Sequence, residues 1–433
     1  MKIVASILKS NPFSTNSREV QLLWLYAVAL ILSVWLIADV NVQYANDSLH
    51  YMRAGELFLN GHIHDFRTPL YPIIFHLAQV ITGRFAGEAV VILQIVLYLL
   101  SILAFYNIGR SLIKSPAILF TISLLYATHP GLILWNYFIL TESLAISGAV
   151  ILFYLILEFY KKPTLLLAIA IPATILALIA LRPSSIYFTP ALATLTLYML
   201  AKKQKFAWTL FSGLFIAVIA VAAYCYAFKQ QYGIFTPSHV SILNKYYFVR
   251  KANLITPADA PTAQMQEFVL NILSDNENDQ YIEFTQLIDK FGHKKTDCLI
   301  KNTINRERSR YISFIITQIT GIRSFPAFSH FVDTATVSIP CKAYIRGSFF
   351  LLMFHFNFVY LFIIGYTIAI AYSFYKKKSI PFIPILLLMT IACNLAIIVS
   401  GAISEWHRLF APTMPLFFIM LATVADRLRI KAE

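Results

Sequence analysis

The sequence predicts an all-α polytopic membrane protein, and three observations support this prediction. Hydrophobic residues make up 58% of the chain and charged residues only 13%, whereas soluble domains carry about 25% charged residues. The mean hydropathy is +0.68. The apolar residues also gather in long runs, of the ~20 residues that a helix needs to cross ~30 Å of hydrocarbon. The bilayer is therefore the main solvent of this chain.

The basic residues predict how the chain is oriented. Lysine and arginine cluster at every second junction between apolar runs, as at Arg110, Lys161 and Lys376, and the junctions between are poor in them. This is the positive-inside pattern of membrane proteins. It predicts that both termini are cytoplasmic. It also accounts for the net charge of +14 without a nucleic-acid partner.

The apolar runs predict about ten membrane-spanning helices. The first run is too long for a signal-peptide core, so it is interpreted as a retained helix. The predicted organisation is an N-terminal membrane region 1–228, a large outer segment 229–345 and a C-terminal three-span region 346–433. The predicted spans lie near 21–40, 87–109, 116–135, 141–160, 165–182, 185–201, 206–228, 348–374, 381–401 and 409–426.

Two outer segments predict helices that do not cross the membrane. In the first outer loop, 41–86, the pattern from Asp47 to Asn60 is amphipathic, and Leu70 to Thr82 is apolar but too short to span. Both helices are expected to lie along the outer membrane surface. In the large segment, Tyr311 to Ile322 is again apolar and short. It predicts an interfacial helix or a helix in the core of a small domain.

Asp47 is the main candidate for a chemical role, because it lies just outside the first span. A carboxylate there can act as a general base, which removes the proton of an attacking hydroxyl. The alternative is purely structural, since Asn46, Asp47 or Ser48 can cap a helix N-terminus. Glu56 and Asp65 are weaker candidates for the base, because no motif surrounds them.

Four further ionisable residues lie at the outward ends of spans or in the outer loop. Arg67 precedes two prolines that hold the chain extended, and Glu142, Arg182 and Arg408 begin or end spans on the same side. Arginine binds phosphate through its planar fork. The alternative for each is a helix-end residue that meets lipid headgroups.

Histidines and cysteines leave two questions open. His62 and His64 invite a metal site, but two histidines in a loop are weak evidence for one. Cys298 and Cys341 share the large outer segment, and a disulfide between them is an alternative in an oxidising compartment. The sequence does not show their separation in space.

Taken together, these motifs resemble the GT-C superfamily of integral-membrane glycosyltransferases, especially the branch with protein O-mannosyltransferases and the aminoarabinose transferase that modifies lipid A. The motifs occur in a fixed order over most of the chain, on one side of the membrane. They are Asp47-Ser48 with Tyr51, Ala54, Leu57 and Gly61; Arg67-x-Pro69-x-Tyr71-Pro72; Thr141-Glu142; Arg182-Pro183; and His407-Arg408 with Pro412 and Pro415.

The resemblance implies a transmembrane helical bundle with two surface helices in the first outer loop and Asp47 as the catalytic carboxylate. It implies a sugar donor on a polyprenyl phosphate, whose phosphate Arg408 and Arg67 would bind. Many members have two adjacent acidic residues at this position, whereas Asn46 and Ser48 flank Asp47 here. A divalent metal is therefore an open question, and no other cofactor is indicated. The pocket would be lined by Tyr51, Tyr71, Glu142, Arg182 and His407.

The expected activity is inverting transfer of a sugar from a polyprenyl-phosphate-linked donor to an acceptor hydroxyl on a glycolipid, glycan or protein. The site would face the periplasm, with the protein in a bacterial inner membrane. One alternative is a polysaccharide polymerase or ligase that acts on lipid-linked glycans. Another is a lipid or solute transporter, although polar residues at mid-membrane depth, which transport paths need, are scarce here.

Overall fold

Helices make up nearly all of the computed structural model, which describes residues 17–274, 279–321, 338–344, 356–377, 382–401 and 406–432. Within these ranges the one β-type contact is an isolated bridge between Gln43 and Phe138. The helices are α1 (Arg18–Val40), α2 (Asn46–Leu59), α3 (Leu70–Thr82), α4 (Ala86–Leu112), α5 (Pro116–Thr128), α6 (Glu142–Lys161), α7 (Leu165–Leu181), α8 (Phe188–Ala201), α9 (Ala207–Tyr232), α10 (Val240–Lys251), α11 (Ala263–Ser274), α12 (Gln280–Arg306), α13 (Arg308–Gly321), α14 (Phe356–Lys377), α15 (Phe382–Gly401), α16 (Trp406–Phe410) and α17 (Met414–Ala432).

Six helical segments in the described ranges are long and apolar enough to cross a membrane. A seventh results if α5 and the following segment Pro130–Tyr137, bent by 47°, count as one span. The prediction of an all-α membrane protein is confirmed, whereas ten spans remain a prediction. The six are Arg18–Val40, Leu70–Leu112, Glu142–Lys161, Pro183–Ala201, Ala207–Tyr232 and Phe382–Gly401.

The other predicted spans coincide with shorter or more charged helices. Leu165–Leu181 and Val359–Tyr372 are apolar but shorter than a full span. α17 carries Asp426, Arg427 and Arg429 near its end. The first part of the predicted span 348–374 lies outside the described residues.

The predicted span 116–135 is bent, because the helix breaks at His129. A residue before proline avoids helical backbone angles, and His129 is extended, with ψ 118°. Pro130 then starts a new short helix as its first residue, a position where the missing proline N–H costs nothing. All residues from 129 to 147 are buried. The break thus turns the chain into the centre of the bundle, where it reaches the start of α6.

The two helices predicted in the first outer loop are present. α2 and α3 lie within one residue of the predicted bounds and pack closely at Gly55. A β-carbon there would lie 2.5 Å from the Pro72 carbonyl oxygen, so only glycine permits this approach. Whether the two helices lie along a membrane surface stays a prediction.

The residues from 234 to 321, described without 275–278, form a helical subdomain with its own hydrophobic core. This subdomain contains α10 to α13, and its core includes Tyr246, Phe284 and Leu299. Buried Glu283 accepts two hydrogen bonds from Arg250, each of 3.1 Å. The helix predicted at Tyr311–Ile322 is present as α13 up to Gly321, and Ile322 lies outside the described residues. Cys298 and Cys341 are both free thiols, so the disulfide alternative is not realised in this structure.

Candidate functional site

A chain of alternating charges joins the ends of five segments that are distant in the sequence. Asp47 accepts hydrogen bonds from Arg67 Nη2 at 2.6 Å and from Arg408 Nη2 at 2.9 Å. Arg408 also contacts Glu142 through Nε, and Arg182 Nη1 lies 3.3 Å from the same Glu142 oxygen. Three guanidinium groups thus face two carboxylates. The network carries one excess positive charge, so its electrostatics favour an anion.

Asp47 reaches this network because the start of α2 is fixed against the chain that precedes α6. Gln43 N–H donates to the Tyr137 carbonyl at 2.8 Å, and Ile139 N–H donates to the Gln43 carbonyl at 3.0 Å. The Ser48 hydroxyl donates to the Ile139 carbonyl at 2.9 Å and accepts from the Ala45 N–H at 2.9 Å. Ser48 therefore provides a hydrogen-bond acceptor for the Ala45 N–H at the start of α2. Both carboxylate oxygens of Asp47 accept hydrogen bonds from arginines, so in the described part of the structure Asp47 does not cap the helix.

Arg67 is held over an aromatic ring next to Asp47. Its guanidinium carbon lies 4.7 Å from the centre of the Tyr51 ring, a distance at which the ring face attracts a cation. Thr68 Oγ1 donates to the Leu181 carbonyl at 3.2 Å. This bond fixes the loop beside the end of α7, from which Arg182 extends.

Glu142 and Arg408 come from segments that meet next to Asp47. Glu142 starts α6, where the positive end of the helix dipole favours a carboxylate, and its side chain is fully buried. Asp47 is 31% exposed. Solvent can therefore reach the Asp47 carboxylate but not the Glu142 carboxylate. Glu142 pairs with Arg182 and Arg408 inside the protein.

Of the two remaining predicted pocket residues, the structure describes only the side chain of Tyr71. The Tyr71 ring is fully buried and packs edge-on against Tyr51 at 5.0 Å, and its hydroxyl donates to Gln94 at 3.2 Å. This position supports Tyr51 and gives Tyr71 no surface toward a ligand. His407 lies in α16 next to Arg408, and its side chain is outside the described part of the structure.

The protonation state of Asp47 follows from its neighbours. Burial alone would raise the pKa of this carboxyl, but the charges of Arg67 and then Arg408 outweigh that effect and lower the pKa to about 2. Asp47 is thus ionised at any physiological pH. A carboxylate held this strongly by two arginines is a weak proton acceptor until one of them changes partner.

A second cluster, of residue types that bind metals, lies near this network and was not predicted from the sequence. Asp65, His239 and His293 have side-chain donor atoms within 4.8 Å of one another. His64, one of the two histidines that suggested a metal site, contacts Asp65, with Nδ1 and Oδ1 at 3.1 Å. His62 is exposed and has no part in the cluster. The separation of the three ligand-type residues along the chain hid the cluster, and only His64-Asp65 gave a local signal.

Solved structures of one archaeal enzyme share the fold. The oligosaccharyltransferase of Archaeoglobus fulgidus in its apo form matches 96% of this chain with a TM-score of 0.52 and 14% identity. The same enzyme, AglB, in complex with an inhibitory peptide and a dolichol-phosphate matches 96% with a TM-score of 0.50 and 14% identity. No protein-family model matches the chain, and no curated protein matches it.

The chain spans about half the length of these structures, since the matches cover 52% of each. The neighbours are GT-C glycosyltransferases. At this level of identity the likeness concerns the fold, and it agrees with the fold that the resemblance implied. The narrower branch of O-mannosyltransferases and aminoarabinose transferases stays a prediction.

Proposed function

We propose that this protein is an inverting membrane glycosyltransferase, which moves a sugar from a polyprenyl-phosphate-linked donor to an acceptor hydroxyl at the periplasmic face of a bacterial inner membrane. The partly exposed Asp47 between Arg67 and Arg408 is the observation on which the proposal depends. It combines a carboxylate that can take a proton with two cations that can hold a phosphate. The GT-C-like fold supports the proposal, as does the dolichol-phosphate in a neighbour's complex.

In this proposal the donor phosphate competes with Asp47 for the arginines. The network has one more guanidinium group than carboxylates, so an incoming phosphate anion can pair with Arg408 and Arg67. Each guanidinium group that turns to phosphate releases an oxygen of Asp47. The pKa of Asp47 then rises from its low value, because burial is no longer outweighed to the same degree. Donor binding would in this way turn a weak base into a useful one.

The chemistry is a single displacement at the anomeric carbon. The acceptor oxygen forms the new bond to that carbon as its proton passes to Asp47. The bond from the anomeric carbon to the phosphate oxygen breaks on the opposite side, and the electron pair leaves with the polyprenyl phosphate. Attack opposite to the leaving group inverts the sugar centre. The arginines stabilise the negative charge that develops on the departing phosphate.

We predict that Arg67→Ala moves the acid limb of the pH profile of kcat/KM to higher pH. In the wild type the pKa of Asp47 is about 2, so the base form is present at every pH at which the protein is assayed. Loss of the Arg67 charge raises this pKa, and activity is then lost at a higher pH as the pH falls. The measurement is the transfer rate between pH 4 and pH 8 in nanodiscs.

Arg67→Lys is the matched control, because it keeps the positive charge beside Asp47. Its acid limb is expected to stay close to that of the wild type, even if the overall rate falls. An identical acid limb in the alanine variant and the wild type would contradict the assignment of Asp47 as the base.

The function itself is tested by the mass of the cell-envelope glycans. Deletion of the gene should remove one sugar from a glycolipid, glycan or glycoprotein, and the loss should appear as a single fixed mass difference. Purified protein with the lipid-linked donor should restore that mass. Unchanged envelope masses, together with accumulation or loss of an unmodified solute, would favour a transporter.

The second candidate is transfer of a preassembled glycan by a polymerase or ligase, which the likeness to an oligosaccharyltransferase favours. This alternative needs the same base and the same phosphate site. It predicts a mass difference of several sugars at once. The same mass measurement therefore separates the two candidates.

A further inference from the structure

Asp65, His239 and His293 bring three ligand-type side chains together outside the Asp47 network. Asp65 lies in the first outer loop, His239 precedes α10, and His293 lies in α12. His239 N–H donates to the Asp65 carbonyl at 2.8 Å, so the two backbones are fixed next to each other. His239 Nδ1 lies 3.8 Å from Asp65 Oδ2. The imidazole and carboxylate groups are thus adjacent but not hydrogen-bonded.

His239 is buried and His293 is partly exposed, and both rings have buried nitrogen atoms without a hydrogen bond. His239 is fully buried, and neither of its ring nitrogens makes a hydrogen bond. Nδ1 of His293 is also buried without a hydrogen bond. A buried polar group without a partner is costly, so such groups in a native structure call for an explanation. A ligand that accepts the lone pairs of these nitrogens provides one.

Aromatic rings pack around His239, and the two imidazoles lie against each other. The two imidazoles stack with centroids 3.6 Å apart and planes within 9°. Phe228 and Tyr232 pack edge-on against His239, at 4.9 Å and 5.1 Å.

A glycine places His293 in the cluster. Gly292 has φ 75° and ψ 163° and interrupts α12. This backbone conformation is open to glycine and strained for other residues. The break turns the chain immediately before His293, so the second half of α12 starts with this side chain against His239.

We propose that Asp65, His239 and His293 form a binding site for a divalent transition-metal ion, with Zn²⁺ as the favoured ion. Two imidazoles and a carboxylate are ligands that zinc accepts, and a solvent molecule would complete a tetrahedral site. At Zn–ligand distances of about 2.0 to 2.1 Å, the donor atoms would close to ~3.3 Å from one another. Binding would therefore tilt the stacked rings apart so that their nitrogens converge on the ion.

The ion would join the first outer loop to the subdomain 234–321. Two side chains already hold this loop. Gln231 Nε2 and the Tyr232 hydroxyl donate hydrogen bonds to the Ile63 carbonyl, at 3.0 Å and 2.6 Å. Phe66, the residue after Asp65, packs on the core of the subdomain. Arg67 is the next residue after Phe66. The metal would thus fix the segment that presents Arg67 to Asp47, without taking part in the chemistry.

The experiment uses the full chain, purified with a tag that contains no histidine, loaded with Zn²⁺ and desalted. We expect one zinc per chain by elemental analysis and a higher melting temperature than after treatment with a chelator. His239→Ala and His293→Ala should each weaken Zn²⁺ binding by ~100-fold or more, since loss of a ligand has a larger effect than the roughly 10- to 100-fold loss caused by changing a residue that only hydrogen-bonds a ligand. His62→Ala, in the same loop but exposed, is the matched control and should bind as the wild type does.

A second variant keeps the test decisive if the alanine variants fold poorly. His293→Cys replaces one zinc ligand by another, so it should still bind Co²⁺ and add a sulfur-to-metal absorption band that the wild type lacks. Substoichiometric zinc in the wild type, or equal Zn²⁺ affinity in His239→Ala, His293→Ala and His62→Ala, would overturn the proposal. These readouts do not depend on sugar transfer, so they stand apart from the proposed function.

Discussion

Asp47→Asn is expected to abolish sugar transfer in a protein that stays folded and still binds the lipid-linked donor. The amide has the shape of the carboxylate and can still accept a hydrogen bond from one arginine, but it cannot take the acceptor's proton. General-base catalysis contributes roughly 10²- to 10⁴-fold to a rate. Donor affinity should not fall, because Arg67 and Arg408 are released to bind phosphate. The measurements are kcat, donor binding and thermal unfolding of the purified variant.

Two further variants sharpen this test. Glu56→Gln changes an exposed carboxylate on the same helix α2, and it should leave transfer unaffected. Asp47→Glu keeps a base within the site and should retain a measurable fraction of the activity. A structural role for Asp47 predicts instead that donor binding and stability fall together with the rate. Turnover near the wild-type level in Asp47→Asn would exclude Asp47 as the base.

Much of the fold could be predicted because hydrophobic periodicity and length encode it locally. α3 has the predicted bounds, from Leu70 to Thr82, because an apolar run flanked by Pro69 and Gly83 leaves little choice. The break at His129 was missed because the apolar run continues through it, and Pro130-Gly131 was its only signal. An apolar run by itself cannot tell a straight span from a bent one.

The sequence singled out residues that the structure brings together, but it did not predict their electrostatics. Asp47, Arg67, Glu142 and Arg408 each stood out as charged residues at outward ends of apolar runs. Arg67 and Arg408 bind the same carboxylate, that of Asp47. This arrangement depends on tertiary packing, which brings α2, α16 and the loop that carries Arg67 together. The low pKa of Asp47 follows from this convergence alone. The cluster of Asp65, His239 and His293 escaped prediction for the same reason, since its members come from three separate segments.

Arg408→Ala is expected to lower donor use strongly, and Arg408→Lys should lie between the alanine variant and the wild type. The guanidinium fork of Arg408 spans Asp47 and Glu142, and lysine has no planar fork that could grip two oxygens. Loss of one charge-assisted contact to the departing phosphate costs on the order of 2 to 4 kcal/mol in the transition state, or roughly 30- to 1000-fold in rate. The assay is transfer rate against donor concentration in nanodiscs.

The contacts of Arg408 also suggest a structural alternative, in which it only neutralises the buried Glu142. Arg408→Ala would then destabilise the protein, because Glu142 would keep Arg182 alone as its partner in the network. The double variant Arg408→Ala with Glu142→Gln removes that buried charge. We expect the double variant to recover stability but not donor use.

Arg84→Ala is the control for an arginine that only anchors the protein at lipid headgroups. Arg84 is exposed and lies beside Phe85 at a helix end, so this variant should transfer sugar at the wild-type rate. Full recovery of transfer in the double variant, or wild-type donor kinetics in Arg408→Ala, would assign Arg408 to structure instead of phosphate binding.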